Sequence, residues 1–166
     1  MTTSITSLVR VVRVAIAMSL VAVARLAAQG QPVPIVPELR VDVLGGPRTS
    51  AQGALGVNIP AGPYVRVGVL AGVGGRLDSP SGVAGRVDVL ARFLLDPFRQ
   101  SRWGLSAGGG VSLRADEGDR VRPNLLVALD LEGPRSRNGV TPAFPVGFGG
   151  GGRGGVGLRW SGRTAR

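Results

Sequence analysis

The residues of this chain that could do chemistry are carboxylates and arginines, because the other reactive types are missing. Histidine and cysteine are both absent. That removes the usual base near neutral pH, the commonest metal ligand, the thiol nucleophile and any disulfide framework. Two local runs are then worth weighing. Asp116-Glu-Gly-Asp119 offers hard oxygen ligands for calcium, but the run is too short to build a full cage, and a solvated turn is the expected reading. Gly149-Gly-Gly-Gly-Arg-Gly-Gly155 is glycine-rich but lacks the lysine and following serine or threonine of a phosphate loop. It reads as a flexible hairpin between the last two strands. Nothing singles out a carboxylate pair placed for glycoside hydrolysis. No catalytic, cofactor-binding or metal-binding residue is assigned, no cofactor is expected, and the expected protein is not an enzyme.

What organises the charged residues is a period of two. Glu38, Arg40 and Asp42 alternate with Leu39, Val41 and Val43. Arg86, Asp88 and Arg92 alternate with Val87, Val89, Ala91, Phe93 and Leu95. Successive side chains of a strand point to opposite faces, so this spacing predicts strands with one charged and one apolar face. Eight stretches carry it, at about 38–45, 51–59, 64–74, 83–95, 103–114, 122–132, 140–149 and 154–161, bounded to within a few residues. Each separator contains glycine or proline, as tight connections require. The seventh stretch is the weakest, since Pro142 and Pro145 sit inside it and proline demotes a strand. Leu126 breaks the alternation of the sixth. No sustained helical period follows the N-terminus, so the expected fold is an all-β antiparallel up-and-down barrel of eight strands.

Ahead of the strands, residues 1–28 read as a removable signal peptide. Arg10 and Arg13 give a basic start, Val14 to Ala24 an apolar run, and Leu26-Ala27-Ala28 small residues for cleavage before Gln29. The apolar run is about half the length a membrane-spanning helix needs. Residues 29–37 form a proline-punctuated lead-in, 38–161 the barrel and 162–166 a basic tail. All twenty basic residues are arginine, and the net charge is +10. The arginines are scattered singly among strands and turns, with few aromatics to stack bases, so nucleic-acid binding is not expected.

Period two alone does not say which face points outward. A soluble barrel would bury valine and leucine, whereas a membrane barrel turns them to lipid. The polar face is rich in Gly, Ser, Ala and Asn, which suits a narrow lumen better than a water-covered surface. There Arg40, Arg66, Arg86, Arg92, Arg114 and Arg159 balance Glu38, Asp42, Asp88, Asp130 and Glu132 closely enough for an internal ion network. The apolar parity carries no charge through the middle of the strong strands, where an arginine in lipid would cost roughly 2–4 kcal/mol. The alternative is a secreted soluble barrel, lipocalin-like, holding a small apolar ligand among Val, Leu and Phe.

In this pattern the chain resembles the small bacterial outer-membrane β-barrel proteins, the eight-stranded class. Val156-Gly-Leu-Arg-Trp160 looks like the aromatic-ended last strand that such proteins present to the barrel assembly machinery, although here the chain continues to Arg166. Tyr64, Phe93, Phe98, Trp103, Phe144, Phe148 and Trp160 fall near expected strand ends, a sparse version of the usual aromatic girdles. The resemblance implies location in the cell outer membrane, with outer-membrane lipid and the assembly machinery as partners. It also implies a monomer with a structural or surface-interaction role. Mass spectrometry of protein from an envelope fraction is expected to find the mature chain starting near Gln29. An intact N-terminus would contradict the signal reading.

Overall fold

The structure is a computed structural model that describes residues 35–161 apart from 99, 118–120, 135 and 137. The signal-like segment, most of the lead-in and the basic tail lie outside the described residues. Eight strands run in order: β1 (Val36–Leu44), β2 (Ser50–Pro60), β3 (Val65–Arg76), β4 (Val83–Leu94), β5 (Gly104–Asp116), β6 (Arg122–Glu132), β7 (Val140–Phe148) and β8 (Gly152–Trp160). Each pairs antiparallel with its sequence neighbour, and β1 pairs antiparallel with β8, closing the barrel. No helix among the described residues is long and apolar enough to cross a membrane, which says nothing against crossing by strands.

The closure is staggered. Leu44 pairs with Arg153, and the ladder continues through Gly147, Ala128, Gly108, Arg92 and Arg66 to Pro60. Pro60 lies two residues beyond Asn58, the partner of Val36. One circuit therefore displaces the sheet by about ten residues, the stagger that tilts eight strands into a narrow closed cylinder. Connections stay short, the longest joining β4 to β5 across residues 95–103.

The strands fall within a few residues of the expected stretches, and three of them show how local chemistry sets their course. β1 starts inside the lead-in, because Pro37 pairs with Val57 at the beginning of the strand, where proline is tolerated. The glycine-rich run is a hairpin only at 149–151, where Gly150 (φ +72) and Gly151 (φ +151) make the turn. From Gly152 onward it is strand. β7 forms in spite of its prolines. Its ladder to β6 runs from Val127–Phe148 to Glu132–Ala143, and its ladder to β8 has no pair at Phe144 and Pro145. Pro145 has no N–H to give, so the break sits where the chemistry requires it.

Burial fixes the two faces. Inward positions are even-numbered in β1–β6 and odd-numbered in β7 and β8, and they hold the charged residues: Arg40, Asp42, Asp88 and Arg159 are each 1–2% exposed. Outward positions hold exposed apolar side chains, among them Leu125 at 77%, Leu55 at 68% and Val73 at 62%. Val89 and Phe93 follow this rule. Ile59, Gly85 and Val87 are outward by parity yet buried. In the same region Gly53, Leu55, Ala71 and Val73 line an apolar groove on the outer wall. Leu126 turns inward and packs against Leu90 and Ala128, which accounts for the broken alternation of β6.

Because closure leaves no free ladder edge along β1–β8, detergent alone should not open the sheet. Boiled and unboiled samples are expected to migrate differently on a denaturing gel. Identical mobility would contradict a closed barrel.

Candidate functional site: the ion network of the lumen

The inward arginines and carboxylates come together as a network filling the barrel, and space for it is made by small neighbours. A Cβ on Gly157 would fall 2.7 Å from Arg40 Cγ, and one on Gly155 would strike the Asp42 carboxylate. On the opposite wall, side chains at Gly108 and Gly110 would run into the Ala91 and Val89 carbonyl oxygens. Glycine at these positions lets strongly coiled strands approach while leaving volume for guanidinium groups.

The half of the network nearer the chain termini is centred on Arg159 of β8. Its Nη1 donates to Glu132 Oε1 at 2.5 Å, and its Nη2 donates to Asp130 Oδ2 and, at 3.2 Å, to Glu38 Oε1. Its Nε lies 3.1 Å from Glu38 Oε2. One guanidinium thereby ties β8 to β1 and β6. Arg66 of β3 donates to the same Glu132 oxygen at 2.5 Å. Arg92 of β4 lies 3.1 Å from Asp130 Oδ2 and donates to Asn58 Oδ1 at 2.5 Å, while Asn58 Nδ2 donates to Glu38 Oε2 at 2.6 Å. Three arginines meet three carboxylates here, bridged by one neutral amide.

The other half is built on Asp42 and Asp88. Arg40 donates to Asp42 Oδ1 at 2.9 Å, and Arg86 donates to Asp42 Oδ2. Arg86 also donates to Asp88 Oδ2 at 3.1 Å and to Gln52 Oε1 at 3.2 Å. Arg153 donates to Asp88 Oδ2 at 2.9 Å. Nearer the rim, Arg114 donates to the Arg48 carbonyl at 2.5 Å and lies 3.4 Å from Asp116 Oδ2.

All eleven residues expected from the sequence to form an internal network are therefore inward and engaged. Three more belong to it. Asn58 and Gln52 lie on the polar parity of β2: Asn58 relays between Arg92 and Glu38, and Gln52 links Arg86 to Ser50. Arg153 was hidden in the glycine-rich run, although its spacing from Arg159 gives it the same parity on β8. The acidic run is not assembled as a cation cage. Asp116 ends β5 beside Arg114, Glu117 Oε2 accepts the Val83 N–H at 3.0 Å, and Asp119 lies outside the described residues. Among the described residues, no group of three potential ligands gathers that could hold a metal ion. The lumen is lined mainly by charged and amide side chains, with Leu44, Leu70, Leu90 and Leu126 among them, where the soluble-carrier alternative calls for an interior of Val, Leu and Phe.

Aromatic side chains gather at the terminus-bearing end of the outer wall. Tyr64 stacks on Phe93 with centroids 5.9 Å apart and meets Phe98 edge-on at 6.0 Å, while Trp103 lies 6.4 Å from Phe144. Phe144 reaches this belt from the middle of β7 because the strands tilt.

No protein-family model and no curated protein matches this chain. Among solved structures, it is similar to the crystal structure of Neisserial surface protein A, with a TM-score of 0.54 and 14% identity, covering 77% of this chain and 96% of that one. At this identity the likeness is one of fold.

Removing one partner of a buried ion pair leaves the others uncompensated, at a cost of about 3–5 kcal/mol. Arg159→Met takes one guanidinium from Glu38, Asp130 and Glu132 at once, so the unfolding free energy measured in urea should fall by an amount in that range. Arg66 is less buried and Glu132 keeps Arg159, so Arg66→Met should cost no more than about 2 kcal/mol. Equal effects would contradict Arg159 as the centre of the network.

Proposed function

We propose that this protein is a small outer-membrane β-barrel with a structural or surface-interaction role in the cell envelope and no catalytic activity. The observation that carries the reading is its polarity. Large apolar side chains cover the outside of a closed sheet and paired charges fill the inside, the arrangement that suits hydrocarbon as the surrounding solvent. An exposed apolar surface of this extent in water would be an association site over the whole molecule. The aromatic belt fits a membrane–water interface, where amphipathic rings settle.

The interior supports a structural role rather than transport. Eight strands enclose a space just wide enough for side chains, and here those side chains hold one another in charge-assisted hydrogen bonds. The carboxylates face guanidinium groups, so each charge inside the barrel is held by a fixed partner. Short connections at both ends offer no long loop for specific capture of a partner. In this reading outer-membrane lipid is the main contact, Val156–Trp160 is the strand engaged by the barrel assembly machinery, and the protein acts as a monomer.

Cell fractionation tests the reading: the protein should separate with the outer membrane, and recovery in the inner membrane or free in the periplasm would refute it. In planar bilayers the folded barrel should show no steady ion conductance, and discrete conductance steps would contradict a filled lumen.

A further inference from the structure

The two halves of the ion network are hydrogen-bonded within themselves but hardly to each other. Across the join the ion pair is long, with Arg40 Nη1 3.7 Å from Glu38 Oε1. Between the halves lies a cavity of about 10 Å³, lined by Glu38, Asn58, Asp88, Arg92 and Arg153 on its polar side and by apolar side chains such as Leu70 and Leu90, with Gly68 beside them. That is about the space one water molecule occupies, and a water is held in such a site when it finds two to four polar partners. Two are on hand. Asp88 uses only Oδ2 for Arg86 and Arg153, and its buried Oδ1 accepts no hydrogen bond. Arg153 uses Nη1 for Asp88, and its buried Nε donates none. One is an acceptor and the other a donor, a pairing that an anion or a cation would not satisfy and a water does.

We propose that this cavity binds a water molecule, which donates to Asp88 Oδ1 and accepts from Arg153 Nε, completing the hydrogen bonds of that half of the network. Its second hydrogen faces the carboxylate of Glu38 or the amide oxygen of Asn58. The lumen is then hydrated at this site, and the water completes the hydrogen bonding of Asp88 and Arg153.

The test uses the full folded barrel. Water magnetic relaxation dispersion in detergent micelles should report one long-lived internal water per protein, and a high-resolution crystal structure should place it within hydrogen-bond distance of both atoms. Gly68→Ala puts a methyl 2.8 Å from Asn58 Oδ1 and 3.0 Å from Arg92 Nη1, at the ends of two side chains. It should abolish the long-lived water while heat-dependent gel migration persists. A dry cavity, a direct bond from Arg153 Nε to Asp88 Oδ1, or an unchanged long-lived water in Gly68→Ala would overturn the proposal. If Gly68→Ala does not fold, the wild-type relaxation and density decide it.

Discussion

A guanidinium enclosed by a sheet cannot shed its proton at any physiological pH, so each inward arginine of this barrel must find an acceptor or the sheet does not close around it. That requirement reaches through most of the structure. Arg159 draws Glu38, Asp130 and Glu132 together from two strands, Arg86 does the same for Asp42 and Asp88, and the neutral amides of Asn58 and Gln52 fill positions where another charge would be unbalanced. The energetic case for buried ion pairs is often weak, because desolvation offsets attraction. In a barrel that faces lipid the alternative arrangement is worse, since the same charges turned outward would meet hydrocarbon. Paired charges inside and apolar side chains outside are two consequences of one constraint.

The backbone bends to that packing. Glycines on the inner face of β5 and β8 give up side-chain contacts of their own, and in return the strands coil tightly and the arginines gain room. Glycine in a strand weakens it, so this is a local cost accepted for a global fit. β7 shows the same trade in another form. Pro145 interrupts the ladder to β8, and the sheet stays closed because the neighbouring pairs on both sides hold the register.

Much of this was legible in the sequence because a strand's period is two, so charge and apolarity sorted by parity are visible residue by residue. The eight strands, the two faces and the eleven network members were all readable that way. Direction was harder. Alternation states that two faces differ and not which is inside, and the signs were the Gly–Ser–Ala composition of the polar face and the charge-free middle of the apolar one. Arg153 escaped because glycines on either side made its segment look like a turn, although its parity matched Arg159. The burial of Ile59 and Val87, outward by parity, could not have been read from alternation. Which carboxylate each arginine meets was also out of reach, since pairs such as Arg159 with Glu38 depend on the stagger with which the sheet closes.

The central claim is that the apolar parity faces lipid. A single cysteine tests it directly, because the chain has none of its own. Val89 lies on the outward face of β4 and is 48% exposed. In Val89→Cys reconstituted into vesicles, the thiol should resist a membrane-impermeant reagent, and a spin label attached there in denaturant before refolding should broaden on contact with a lipid-confined relaxant. Ready modification from water, or a label shielded from lipid, would contradict the account.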